Sequence, residues 1–142
     1  MNYDDMALKA DEKGLCNPCG IIAIALGMGL EFNDAHAIAV NSNYNEAYGM
    51  MTYSILNAFT SRGFELKQVK NHNNSKCKFK SIKTPVSMMR ELRKSGKKYL
   101  CFVKGHVFVF SDGKVQDCHS RKNSRLMSIY EIIPNNNVTQ VS

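Results

Sequence analysis

The chain has 142 residues, of which 44% are hydrophobic, and its formal net charge is +7. This length and composition indicate a single globular domain over residues 1–142 with a core of its own, and they exclude a disordered chain. No stretch reaches the roughly 18–20 consecutive apolar residues of a membrane-spanning helix.

The N-terminal segment is acidic and lacks the basic start and apolar core of a signal peptide. We treat residues 1–14 as a polar lead-in to the domain. The number of cysteines is odd, which argues against a closed set of disulfides. The chain is therefore expected to be cytoplasmic with reduced thiols. The cysteines are Cys16, Cys19, Cys77, Cys101 and Cys118.

The positive charge is concentrated in the middle of the chain. Residues 62–104 hold 13 of the 19 Lys and Arg, against only Glu65 and Glu91. Such a segment is either a solvated basic loop and helix face or a surface for nucleic acid or an acidic partner. Phe79 is the one aromatic residue among the lysines of Lys67–Lys83, so a stacking platform for single strands has little support.

Helices are predicted in the first half. Asn17 and Pro18 are typical of an N-cap and a first helical position, and the apolar run that follows indicates a buried helix ending near Leu26 or Leu30. Two more helices are predicted, one from Phe32 to Val40 capped by Asn33 or Asp34, and one that carries Tyr53, Leu56 and Phe59 and ends at Gly63.

Strands dominate the second half, which predicts an α+β fold with N-terminal helices packed on a C-terminal antiparallel sheet. A polar loop (Asn71–Lys83) and a helix that starts at Thr84-Pro85 interrupt the strands, and residues 135–142 form a frayed tail. The predicted strands are Phe64–Val69, Tyr99–Val103, His106–Phe110, Lys114–Cys118 and Leu126–Ile132.

Cys19 is the first candidate for chemistry. With Asn17 as the N-cap, Cys19 occupies the second helical position, close to unpaired N–H groups and the positive end of the helix dipole. This placement lowers the pKa of a thiol and favours the nucleophilic thiolate. The structural alternative is a small buried cysteine of the core.

The Asp112-Gly113 turn predicts a two-residue hairpin, and the register of that hairpin brings further candidates together. With Ser111 opposite Lys114, the side chains of four residues fall on one face of the sheet. These residues are His106, Phe108, Asp117 and His119. Asp117 is then the diagonal neighbour of His106, within reach of its imidazole N–H. A nucleophile, a base and an orienting carboxylate are thereby suggested: Cys19, His106 and Asp117.

These residues resemble the papain-like cysteine peptidases, and most closely the small papain-like proteins of bacteriophages and bacteria. The likeness covers roughly residues 15–132. It is carried by Cys19 with its Ala-containing apolar helix, by Asp34-Ala35-His36, and by the stretch Lys98–Asp117 with its Gly105-His106 pair. The resemblance implies Cys19 as nucleophile, His106 as base and Asp117 as orienter, with a protein or peptide substrate and no cofactor or metal. It also implies host cytoplasm if the chain is phage-encoded.

One feature of that family is missing. Papain-like peptidases usually carry a glutamine a few residues before the nucleophile as an oxyanion donor, whereas this chain has no glutamine before Gln68. Asn17 and Lys13 are the nearest polar candidates for this role. The expected reaction is therefore a thioester-forming acyl transfer, with peptidase, deamidase and transglutaminase chemistry all left open.

Three other interpretations remain. Cys16-Asn17-Pro18-Cys19 is similar to the redox motif of thioredoxins, although no strand is predicted before it. Cys16 and Cys19 with Cys118 and His119 are a conceivable zinc site, although adjacent residues on a strand point to opposite faces. Finally, a papain-like scaffold without enzymatic activity would act as a binding protein through its basic face.

Overall fold

The computed structural model describes residues 2–69, 92, 96–117 and 126–134. Several predictions lie outside these residues, together with most of the basic segment. They are the loop Asn71–Lys83, the helix that starts at Thr84-Pro85, the tail 135–142, and the roles given to Cys118 and His119.

Four helices and five strands follow one another along the described chain, which confirms the predicted α+β class. They are α1 (Tyr3–Glu12), α2 (Cys19–Met28), α3 (Phe32–Asn41), α4 (Thr52–Ser61), β1 (Phe64–Gln68), β2 (Tyr99–Val103), β3 (His106–Ser111), β4 (Lys114–Gln116) and β5 (Ser128–Pro134).

The polar lead-in contains helix α1, which the sequence patterns did not predict. Asn2 caps α1 by accepting a hydrogen bond from the Asp5 N–H at 3.0 Å, and the Asp5 carboxylate accepts the Asn2 N–H at 3.3 Å. Met6 and Ala10 are buried on the inner face of α1. Two apolar positions four residues apart were too sparse a pattern to overcome the charged residues around them.

The central helix α2 is buried over eight consecutive residues, from Gly20 to Gly27, as its apolar run predicted. It ends at Gly29, whose φ of 73° places the C-cap in the left-handed region. The Nζ of Lys98 donates a hydrogen bond to the Leu26 carbonyl at 2.9 Å, which satisfies one of the free carbonyls at the end of the helix.

The N-cap of the next helix differs from the prediction. Helix α3 begins at Phe32 with Glu31 at the N-cap, so Asn33 and Asp34 lie in its first turn and neither is the N-cap. Asp34 still interacts favourably with the positive end of the helix dipole there. Helix α4 runs to Ser61 with Arg62 at the C-cap, and Gly63 follows with a φ of 88°, which confirms that this glycine terminates the helix.

The sheet has the order β1-β5-β2-β3-β4, and every neighbouring pair is antiparallel. Strand β4 forms one edge and has only three residues, because it ends at Gln116 instead of the predicted Cys118. Strand β5 runs from Ser128 to Pro134, two residues later than predicted at both ends. Among the described residues, the beginning of β3 therefore has no strand partner on that side.

Both faces of β2 and β3 are buried, which explains why these strands lack polar alternation. One face carries Leu100, Phe102, Val107 and Val109 and packs with the four helices. The other face packs with a second apolar cluster that includes Leu92, Leu126 and Ile129. Helix α2 and strand β3 therefore pack directly against each other, and this contact brings the N-terminus of the helix to the sheet edge.

No single helix in the described part of the chain has the length and hydropathy needed to span a membrane. Helices α2 and α3, which are bent by 118° at their junction, reach that length and apolar composition only when taken together.

Candidate active site

Cys19 is the first residue of α2, and Pro18 occupies the N-cap position. The prediction that Asn17 caps the helix and that Cys19 is its second residue is therefore wrong. Asn17 instead adopts a φ of 52°, in the left-handed region that asparagine tolerates better than most residues. Cys19 nevertheless remains in the first turn, close to the unpaired N–H groups of the helix.

The Asn17 side chain serves to attach the segment before the nucleophile to a loop. Its Nδ2 donates to the carbonyl oxygens of Glu46 and Ala47, at 2.9 Å each. The Tyr44 hydroxyl donates to the Cys16 carbonyl at 2.6 Å. Since both amide hydrogens of Asn17 are engaged in this way, the structure gives it a positioning role in place of the oxyanion role suggested by the sequence.

Lys13, the other residue suggested for the oxyanion site, is the C-cap residue of α1. It is exposed, and its backbone N–H donates to the Lys9 and Asp11 carbonyls. These contacts belong to the end of the helix, so they do not link Lys13 to Cys19.

His106 and Asp117 are in contact, as the hairpin register predicted. Nε2 of His106 lies 2.9 Å from Oδ2 of Asp117, and the Asp117 side chain is fully buried. The paired register extends from Ser111↔Lys114 to Val109↔Gln116, which places Asp117 one residue beyond β4. The imidazole also stacks on Phe108, with ring centroids 6.3 Å apart and planes inclined by 29°. The position of the histidine ring is therefore set by two neighbours.

The side chains of Cys19 and His106 line the same small cavity and lie close enough that each shifts the pKa of the other. Because Nε2 of His106 bonds to Asp117, the ring nitrogen left for the thiol is Nδ1. The three residues form a continuous chain of contacts from thiol to imidazole to carboxylate. The structure thus brings together Cys19 and His106, which are 87 residues apart in the sequence.

The backbone N–H groups of Gly20 and Val107 also lie close enough to the Cys19 sulfur to lower its pKa. The Gly20 N–H belongs to the free N-terminus of α2. The Val107 N–H is available because hydrogen-bonded pairs alternate along a hairpin: Ser111 and Val109 bond to β4, and Val107 points the same way beyond its last residue. The early end of β4 therefore supplies a donor for the thiolate.

These contacts shift two pKa values toward an ion pair. For Cys19, burial acts to raise the pKa, but the hydrogen bond and charge of His106 together with the two backbone N–H groups outweigh it, so the pKa is lowered. For His106, burial acts to lower the pKa, while Asp117 and Cys19 raise it to about 9. Both shifts favour a Cys19 thiolate beside a His106 imidazolium.

A small cavity of about 10 Å³, roughly the space of one water, adjoins the Cys19 and His106 side chains. Its wall includes Tyr3 of α1 and Gln116 of β4, which the sequence did not suggest for the site. Gln116 was recognisable in principle, because the hairpin register places it opposite Val109 on the face toward α2. No sequence signal pointed to Tyr3, because its position depends on how α1 packs.

A larger cavity of about 370 Å³ lies at the other end of α2 and is lined in part by Met28, Lys97 and Glu131. The ten residues of α2 separate it from Cys19 by roughly 15 Å. It contains none of the three predicted catalytic residues, so its size does not make it the candidate site.

The remaining thiols bear on the redox and zinc interpretations. Cys16 is exposed and Cys101 is buried, and neither of them nor Cys19 forms a disulfide. Burial raises the pKa of Cys101 well above the usual value, which makes this thiol inert. Among the described residues no three His, Cys, Asp or Glu side chains are grouped to hold a metal, and half of the proposed zinc site, Cys118 and His119, lies outside them.

Comparisons of the chain with protein-family models, with curated proteins and with solved structures find no match. The interpretation of the site therefore rests on its own geometry and chemistry.

Proposed function

We propose that the protein is a papain-like cysteine hydrolase or acyltransferase that forms a thioester at Cys19 on a protein or peptide substrate. The observation that carries the proposal is the chain of side-chain contacts from Cys19 through His106 to Asp117. A thiolate, an imidazolium and an orienting carboxylate in this order are the parts that nucleophilic catalysis by cysteine requires.

In the first half of the reaction, the Cys19 sulfur attacks the carbonyl carbon of an amide and a tetrahedral intermediate forms. The carbon–nitrogen bond then breaks, and His106 transfers its Nδ1 proton to the departing amine. The product is a thioester on Cys19 with a neutral imidazole beside it. The raised pKa of His106 supports this step, because the histidine holds the proton that the amine needs.

In the second half, water or an amine attacks the thioester carbon, and His106 removes the proton of the attacking group. The carbon–sulfur bond breaks and the thiolate–imidazolium pair returns. Water as acceptor gives hydrolysis or deamidation, and an amine gives transamidation. Asp117 keeps Nε2 protonated throughout, which leaves Nδ1 as the atom that exchanges protons.

The oxyanion of the intermediate needs hydrogen-bond donors near the Cys19 sulfur. The backbone N–H groups at the start of α2 have no partner within the helix and are suited to this role. Because the Asn17 amide is bonded to two loop carbonyls, no side chain is assigned as a second donor. A missing donor typically slows such reactions by about 10²–10³-fold.

The redox interpretation requires Cys16 and Cys19 to form a disulfide, and it gives His106 and Asp117 no role. The binding-protein interpretation requires no reactive thiol at all. Both alternatives therefore leave unexplained why two backbone N–H groups and an imidazole, itself bonded to a buried carboxylate, converge on one sulfur. This convergence favours the enzyme.

The test is alkylation with iodoacetamide at pH 7, with the modified cysteines located by peptide mass spectrometry. Cys16 serves as a reference thiol in the same molecule. We expect Cys19 to react first, and His106→Ala to slow its reaction by about 10–100-fold, because the thiolate fraction falls with each unit of pKa. Equal reactivity of Cys16 and Cys19 that does not depend on His106 would contradict the proposal.

Acyl transfer itself is tested with the p-nitrophenyl ester of an N-blocked amino acid. We expect an acyl adduct on Cys19 in the intact mass spectrum, formed by wild type and absent from Cys19→Ser. A reactive Cys19 that never forms this adduct would favour the redox interpretation, and a disulfide between Cys16 and Cys19 would then be sought.

A further inference from the structure

A short loop lies beside the candidate active site, and we call residues 45–51 the Tyr48 loop. It closes on itself through a bridge between Asn45 and Gly49, and the Asn45 side chain accepts a hydrogen bond from the Ala47 N–H at 2.7 Å. Gly49 has a φ of 78°, a conformation that favours glycine. The backbone of the loop is therefore held in one shape by its own contacts.

The Tyr48 loop is attached to the segment that carries the nucleophile. Asn17 donates to the two carbonyls that precede Tyr48, and Gly49 packs against Asn17 closely enough that a Cβ on this glycine would lie 3.4 Å from the Asn17 Cβ. Gly20, the residue after Cys19, packs against Met50 so closely that a Cβ on Gly20 would lie 2.8 Å from the Met50 Sδ. Residues on both sides of Tyr48 thus contact the residues on both sides of Cys19.

Tyr48 itself is 87% exposed, and Met51 and Tyr53 are 65% and 56% exposed. Six large hydrophobic residues are strongly exposed in the described part of the chain, and half of them fall between residues 48 and 53. Isolated exposed apolar side chains are ordinary, but a cluster of them next to a functional site marks a surface that another molecule covers.

We propose that Tyr48 and Met51 bind apolar side chains of an extended peptide whose acyl carbon reaches Cys19. The inference rests on the proposed acyl-transfer function and names the residues that select its substrate. Because the loop is already ordered, binding there requires little loss of conformational entropy.

Two electrophiles of different size separate recognition from reactivity. Iodoacetamide reports on the Cys19 thiolate alone, whereas an N-blocked Leu-Leu-Ala chloromethyl ketone also has apolar side chains to bind. We expect Tyr48→Ala to slow labelling of Cys19 by the peptidyl ketone by about 5–10-fold, the effect of losing an aromatic contact. Labelling by iodoacetamide should be unchanged, and Tyr48→Phe should behave as wild type with both reagents.

Leu8→Ala is the matched control, because Leu8 is 62% exposed on α1 and lies outside the loop. It should leave both labelling rates unchanged. A peptidyl ketone with serine in place of both leucines provides a second control, and its rate should not respond to Tyr48→Ala.

The outcomes distinguish this inference from the proposed function. Equal effects of Tyr48→Ala on the two reagents, or no effect on either, would overturn the recognition role while leaving the reactive Cys19 in place. Iodoacetamide labelling that does not depend on His106 would instead overturn the function on which the inference rests.

Discussion

The carboxylate of Asp117 is fully buried and lies 2.9 Å from Nε2 of His106, whose ring is 16% exposed. A buried carboxylate that contacts a histidine on a neighbouring strand favours the imidazolium, and it determines which ring nitrogen carries the fixed proton. The second nitrogen is thereby directed to Cys19. The following predictions test the consequences of this arrangement.

Asp117→Asn should slow both iodoacetamide labelling and acylation of Cys19 at neutral pH. The amide has nearly the shape of the carboxylate but no charge, so the pKa of His106 falls and less of the thiolate forms. A decrease of about 10-fold or more is expected. Rates for wild type and variant are compared by mass spectrometry, with intact folding verified by circular dichroism. An unchanged rate would show that Asp117 has no part in positioning or charging His106.

The pH dependence of labelling should differ between wild type and His106→Gln. Burial acts to raise the pKa of Cys19, but His106 and two backbone N–H groups outweigh it, so wild type should react below the pH at which an ordinary thiol ionises. Without the imidazole, less opposes the effect of burial, so the pKa of Cys19 should rise. The midpoint of the rate profile should then move to higher pH. Labelling rates between pH 5 and 10 measure both midpoints. Coincident profiles would rule out the ion pair.

Stability should also depend on pH through His106. Its pKa is raised in the folded state, so the contribution to stability is complete below the unfolded value of 6.5 and is lost as pH rises through the folded value. We expect Asp117→Asn to lower the free energy of unfolding by about 2 kcal/mol near pH 6 and by less near pH 10. Urea titrations of both chains in a Cys19→Ser background measure this difference.

The Cys19→Ser background removes the second titrating group, whose lowered pKa would act in the opposite direction. It also removes the part of the His106 pKa shift that Cys19 causes. The midpoint of the pH-dependent loss of stability should therefore lie below pH 9. A difference between the two chains that grows with pH would contradict the proposed charge state of His106.

Asn17→Asp and Asn17→Gly should separate hydrogen bonding from backbone conformation. Aspartate tolerates the left-handed φ of 52° but places acceptors against the carbonyls of Glu46 and Ala47. Glycine adopts that conformation freely and loses only the two hydrogen bonds. We expect losses of about 1 kcal/mol for Gly and about 2–3 kcal/mol for Asp in urea unfolding. A smaller loss of stability for Asn17→Asp than for Asn17→Gly would show that the amide hydrogens do not attach this segment to the Glu46 and Ala47 carbonyls.

Gly27→Ala should destabilise the protein, although alanine is the better helix former by about 1 kcal/mol. A Cβ at this position would lie 2.6 Å from Cζ of Phe59, a ring that is fully buried and packs edge-on against Phe64 at 5.9 Å. Overpacking of this kind typically costs about 1–3 kcal/mol. Urea unfolding should show a lower midpoint with an unchanged slope.

Phe59→Leu in the same chain provides the control for the Gly27 prediction. If the clash with the ring is the cause, the double variant should lose less stability than the sum of the single variants. Additive losses would point to a different cause.

Local signals in the sequence were sufficient to predict much of the sheet. The two-residue turn at Asp112-Gly113 has φ values of 55° and 76°, the left-handed pair that such hairpins require. Since side chains alternate along a strand, the turn alone placed Asp117 on the same face as His106. The strand ends were less well predicted, because the end of pairing depends on what covers the edge.

The predicted N-cap of α2 was wrong for a related reason. Asn17 is a good N-cap by residue type, but long-range contacts with Glu46 and Ala47 turn its side chain away from the helix. Capping propensity is small compared with two hydrogen bonds and a packed loop. Helix α1 was not predicted because its stability comes from the packing of Met6 and Ala10, and two apolar residues in a charged segment do not form a recognisable helical pattern.

The sequence by itself therefore determined the α+β class, the hairpin register and the pairing of His106 with Asp117, because each depends on turns and alternation within a few residues. Only the tertiary structure decided that Cys19 meets His106, that the Val107 N–H is free at the end of β4 to bond to sulfur, and that the Tyr48 loop flanks the nucleophile. These contacts join segments tens of residues apart. They depend on how α2 packs against β3, which local patterns do not encode.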